Sequence, residues 1–111
     1  MSAYTPTVLT VSPMLSGTTI DSITFPAGVS GRVYVLNRGS ADYLVTAGVG
    51  TAAGDVSAPS ANADGTVMIP PGAGRFIHDH VTRPMPGYSV IVRIGSTAGG
   101  GRATVELVKQ P

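Results

Sequence analysis

Glycine, proline, serine and aspartate interrupt this chain so often that no convincing helix is left between them. The 111 residues include 15 Gly and 9 Pro, and the segments they fence off are short, β-branched or apolar runs. The plainest are Tyr88-Ser-Val-Ile-Val-Arg-Ile94 and Arg102-Ala-Thr-Val-Glu-Leu-Val-Lys109, separated by a glycine-rich turn. Each alternates between two faces, the period of a strand. Seven or eight such runs at roughly 8–12-residue spacing predict a sandwich or a barrel. Eight antiparallel strands suit a jelly roll. Seven would suit an immunoglobulin-like sandwich, but the Cys and Trp that mark that domain are absent. The expected fold is all-β: an antiparallel β-sandwich, jelly-roll-like.

Thr7–Val11 reads as the first strand. Thr19–Phe25 reads as the second, with Ile20 out of phase with Ile23 and Phe25, which a bulge near Asp21-Ser22 would repair. Gly31–Asn37 is the third, with Val33 and Val35 on one face and Arg32, Tyr34 and Leu36 on the other. The turn residues of Asn37-Arg-Gly-Ser-Ala-Asp42 permit positive φ, so a hairpin to Tyr43–Ala47 is expected. Residues 48–65 form one long irregular stretch of small residues, the kind of loop that is usually functional or disordered. Thr66–Ile69 supplies a further short strand, Arg75–Val81 a strand or the entry to a loop, and the last two runs are expected to pair as a C-terminal hairpin. Phe25 and Phe76 are expected in the core. The organisation is an N-terminal arm, 1–7, and one sandwich domain, 8–111, carrying the loop at 48–65.

Charged residues make up only 12% of the chain, about half the usual ~25%. A surface so poor in charge is either a bland exterior of Ser, Thr, Ala and Gly or one covered by another chain, and the second is favoured. The formal net charge is +1 and no block of like charge exists, so nucleic acid and anionic membrane are poor partners. Six of the seven basic residues are Arg, the cation favoured in protein interfaces. With no Cys, disulfides, zinc–thiolate sites and thiol catalysis are excluded. The N-terminus has no basic region ahead of an apolar one, and no apolar run approaches the ~18 residues of a membrane span. The expectation is a soluble protein made in the cytosol.

Chemistry is sparse. His78 and His80 would share a strand face and are the only weak candidates for metal ligands, but zinc needs three or four ligands and the chain has no other His. No Gly-x-Ser-x-Gly elbow is present. The carboxylates Asp21, Asp42, Asp55, Asp64, Asp79 and Glu106 mostly fall at turns, where Asp serves the backbone. Gly48-Val-Gly50 misses the spacing of a nucleotide loop. No catalytic residue, metal or cofactor is therefore expected, and the chain is not expected to be an enzyme. Tyr34 and Tyr43, interleaved with Arg32 and Arg38, form either a plain cross-strand pair or a platform for bases or sugars.

The series Val33-Tyr-Val-Leu-Asn-Arg-Gly-Ser-Ala-Asp-Tyr-Leu-Val45, then Met68-Ile-Pro-Pro-Gly-Ala-Gly74, then Tyr88–Ile94 with its glycine turn and Ala103–Leu107, resembles small β-sandwich structural proteins of tailed bacteriophages. In that group a strand ending in Asn before a polar turn, an Ile-Pro-x-Gly segment and a terminal hairpin recur. The resemblance covers roughly residues 31–109 and leaves the 48–65 loop unmatched. It implies a capsid decoration, or cement, protein on the virion exterior, made in the host cytoplasm. Its implied partners are the major capsid protein and its own copies in a dimer or trimer, with no nucleic acid and no membrane. Contacts are expected where the strand rhythm breaks: at Tyr4 of the arm, at Asp55 and Val56 of the loop, at His78 and His80, and at Arg32, Tyr34, Arg38 and Tyr43. The runner-up is a receptor- or glycan-binding module of a phage tail or fibre, and a hydrolase is a distant third.

Overall fold

A computed structural model describes residues 7–11, 21–61, 64–78, 82–98 and 101–108, the first of these spans as backbone only. It contains eight strands: β1 (Thr7–Val11), β2 (Asp21–Thr24), β3 (Arg32–Asn37), β4 (Tyr43–Gly50), β5 (Val67–Ile69), β6 (Gly74–Phe76), β7 (Ser89–Ser96) and β8 (Gly101–Val108). They form two four-stranded sheets, β1-β8-β3-β6 and β2-β7-β4-β5. All pairings are antiparallel. Strand 1 pairs with 8, 2 with 7, 3 with 6 and 4 with 5, so the chain is one long antiparallel ribbon rolled around its own core. This is a jelly roll.

Alternation decides what each strand buries. On β3, Val33, Val35 and Asn37 are buried while Arg32, Tyr34 and Leu36 are half-buried. On β8, Ala103, Val105 and Leu107 face the same interior. β7 lies between β2 and β4 and is covered on both faces: Val90, Val92 and Ile94 join the main core, and Ile91 is fully buried on the other side. Phe25, Tyr43, Val45, Ile69 and Ile77 complete that core. Pairing of Asp21–Thr24 with Ile94–Ile91 is unbroken, so no bulge interrupts these four residues, and Ile20 lies outside the described residues. The proposed arm does too, except Thr7, which already belongs to β1.

Neither expected hairpin forms. β3 and β4 lie in different sheets, as do β7 and β8. The tight hairpin turns need positive φ at one or both central residues, and no residue from Asn37 to Asp42 has it. The 38–42 connection instead crosses from one sheet to the other. Positive φ appears where the ribbon does turn tightly, as at Gly72 (φ 78°). There Ala73 N–H donates to Pro70 O at 3.1 Å, and Pro71 and Gly72 fill the central positions that a type II turn prefers.

Asn37 fastens this end of the roll. Its side chain is fully buried; Nδ2 donates to Ala41 O at 2.7 Å and to Ile69 O at 2.8 Å. Its Oδ1 accepts Gly39 N–H at 2.8 Å, while its backbone bonds Ala73 O and Gly72 N, each at 2.9 Å. One residue of β3 thus binds β5 of the opposite sheet, its own following loop and the β5–β6 turn. Beside it the Tyr43 hydroxyl donates to Arg102 O at 3.1 Å, closely packed by Gly39 and Gly101, where a Cβ would collide with that hydroxyl.

Asn37→Ala would leave the buried Ile69 carbonyl and Gly39 N–H without these partners. The expected cost is about 2–4 kcal/mol in denaturant unfolding, against about 1 kcal/mol for Tyr43→Phe. Equal effects of the two changes would contradict the role given to Asn37.

Candidate functional site

Three of the polar side chains singled out in the sequence, Tyr43, Asp55 and His78, contact the chain's own backbone. His78, half-buried, has Nε2 3.3 Å from Ala47 O. Asp79 and His80 lie outside the described residues, as does Tyr4. Among the described residues, no group of three His, Cys, Asp or Glu could hold a metal ion, and no helix is long and apolar enough to cross a membrane.

The 48–65 segment is less irregular than its composition. β4 runs on to Gly50, and a 3₁₀ turn, Ala53–Asp55, follows. Asp55 Oδ2 accepts from Thr51 N–H at 2.9 Å, Ala52 N–H at 3.1 Å and Thr51 Oγ1 at 3.1 Å. The backbone hydrogen bonds from Thr51 and Ala52 hold this carboxyl below the ordinary aspartate value. The turn lies against β4, β7 and β2. Val56 then folds onto the outer face of the second sheet, 3.3 Å from where a Gly48 Cβ would stand, and is buried there with Leu44 and Ile91. Thr46 Oγ1 donates to Ser57 O at 2.6 Å and Arg93 Nη1 to Val56 O at 2.7 Å. The stretch expected to be functional or disordered is ordered against its own sheet. Val56 is therefore an internal anchor. An open cleft of about 250 Å³ remains beside the loop, bordered by Thr46–Val49, Asp55–Ser57, Asp64, Gly65 and His78.

The aromatic pair expected from Tyr34 and Tyr43 does not exist. Tyr43 is fully buried, its phenol held protonated to higher pH by burial, and it sits in the other sheet from Tyr34. Tyr34 is opposite Phe76 on one side and Glu106 on the other. Phe76, expected in the core, is exposed, because it follows Tyr34 in register and β6 is an edge strand. The two rings meet edge to face with centroids 5.1 Å apart. Arg32 lays its guanidinium over the Phe76 ring at 3.9 Å, its Nε buried and without a hydrogen-bond partner.

Arg32, Tyr34 and Phe76 thus form a fixed stack on the outer face of the first sheet. Arg102, Thr104, Glu106 and Val108 share that face by alternation on β8, and Arg38 stands at its end, its N–H on Arg102 O at 2.9 Å. Arg102 and Phe76 were missed in the sequence. Arg102 stood out only as an alternating polar residue, and Phe76 carried no sign that its strand is an edge. Comparison with family models, curated proteins and solved structures finds no match for this chain.

Asp55 supplies a pH test. Because its folded pKa is lowered, its contribution to stability is present above the unfolded value, 3.8, and is lost as pH falls through the folded one. A carboxyl NMR titration should place the Asp55 midpoint below that value. In Thr51→Ala the midpoint should move upward, and an unmoved midpoint would contradict the assignment.

Proposed function

We propose that this chain is a non-enzymatic virion structural protein, a capsid decoration protein that docks as an oligomer on an assembled shell and stabilises it. The reading is carried by one observation: side chains such as Asn37, Thr46 and Asp55 are spent on the fold, while among the described residues the outer face of the first sheet is left without cover. Asn37, Tyr43, Thr46, Asp55 and His78 each make a hydrogen-bond contact to backbone of the same chain. That is the chemistry of a rigid scaffold. A scaffold repeated many times over a lattice gains its holding strength from copy number and needs no single strong site.

The resemblance to phage β-sandwich structural proteins supports the same reading, as does the jelly-roll fold, which recurs in capsid and lectin domains. The short edge strands support it too. β5 and β6 have three residues each and β2 has four, which limits edge-to-edge aggregation at high local density. The tail- or fibre-module alternative loses the Tyr34–Tyr43 platform on which it rested.

The test is mass spectrometry of purified particles from the virus that encodes the chain, followed by heating of shells with and without it. The chain should be present in numbers comparable to the shell subunit. Shells lacking it should break at a lower temperature, restored by adding the purified chain. Absence from particles would overturn the proposal.

A further inference from the structure

We propose that the outer face of the first sheet, centred on Arg32, Tyr34 and Phe76, docks on a carboxylate-bearing surface of another protein; this rests on the decoration reading for what that protein is. The fold distributes charge unevenly. Among the described residues the face and its end carry Arg32, Arg102 and Arg38, against Glu106 alone. The other described charges, Asp21, Asp42, Asp55 and Asp64 against Arg75, Arg83 and Arg93, leave the rest of the surface with four acidic groups to three basic ones. A chain of net charge +1 is thereby given one basic side.

The arrangement of the basic side suits a protein partner. Arg32 is at one end of β3, and Arg38 and Arg102 are beyond the other, ~20 Å away at strand rise. Between them lie Tyr34, Leu36 and Phe76, half-buried or exposed. An aromatic and aliphatic middle with arginine at its margins is the usual anatomy of a protein interface. Arg32 is oriented before any partner arrives: the Phe76 ring supports its plane, so less side-chain entropy is lost when the guanidinium edge meets a carboxylate.

Nucleic acid suits the face less well. One face of Phe76 is covered by Arg32 and Tyr34 packs against the ring, which leaves no clear platform for base stacking.

The experiment has two arms on the full chain. In the first, amide and arginine Nε signals are followed by NMR during titration with an oligoglutamate peptide. Shifts should concentrate at Arg32, Tyr34, Phe76, Arg102 and Glu106, and an oligolysine peptide should not reproduce them. In the second, binding to shells lacking the chain is compared for wild type, Arg102→Glu and Arg32→Lys. Arg102 is exposed, so its variant should keep the wild-type melting temperature while weakening binding roughly tenfold or more. Arg32→Lys keeps the charge but loses the planar fork and should also bind more weakly.

Peptide shifts mapping elsewhere would overturn the inference, as would wild-type shell binding by Arg102→Glu. Self-association abolished by these variants would assign the face to a second copy and overturn it, and equal shifts with an oligodeoxynucleotide would do the same. Failure of the wild-type chain to bind shells, with peptide shifts on this face, would instead sink the decoration reading and leave the carboxylate-binding face standing.

Discussion

The buried amide of Asn37 is the interaction on which the roll depends. A two-sheet sandwich is held mainly by apolar side chains, which are non-directional and would tolerate small slips of one sheet over the other. A hydrogen-bonded side chain does not tolerate slippage, because a buried donor or acceptor left unpaired costs more than the bond gained. Both Nδ2 protons and Oδ1 are used, one of them on Ile69 of the facing sheet. The β3–β4 crossing, the β5–β6 turn and the seam between sheets are therefore fixed by one residue. Tyr43, with its hydroxyl on Arg102 O, locks the neighbouring crossing next to β8.

Much of the architecture was legible because the strand period is a local property. Val33 and Val35 against Arg32 and Tyr34, or Ala103, Val105 and Leu107 against Arg102 and Glu106, declare their faces without reference to the rest of the chain. Pairing is not local. The turn between Asn37 and Asp42 has hairpin composition, yet its residues keep negative φ and carry the chain across the core. A permissive residue type shows what a backbone is allowed to do, and long-range bonds such as Asn37 to Ile69 decide what it does. The same limit explains Tyr43 and Phe76. Aromatic content alone does not reveal which strand ends at a sheet edge, so the tyrosine expected outside is buried and the phenylalanine expected inside is exposed.

The loop after β4 shows how small residues and one anchor can order a long connection. Val56 packs at Gly48 on the outer face of the second sheet, and Arg93 and Thr46 hold the successive carbonyls of Val56 and Ser57. That face is thus partly occupied by the chain itself. The first sheet has no comparable cover among the described residues, and it carries the Arg32–Phe76 stack. Near-neutral composition concealed this division, since the arginines are scattered in sequence and come onto one face only when β3 and β8 pair.

One end of the molecule is rigid because Asn37 joins the sheets, so the outward face of the first sheet is presented without rearrangement. Native-state amide hydrogen exchange tests it directly. Gly39 lies in a connection, where amides ordinarily exchange by local opening, yet its N–H donates to Asn37 Oδ1. The account predicts that Gly39, Asn37 and Gly72 exchange only with global unfolding, at the same free energy as the central amides of β3 and β8. Exchange of Gly39 at the rate of an open turn, while β3 stays protected, would contradict it.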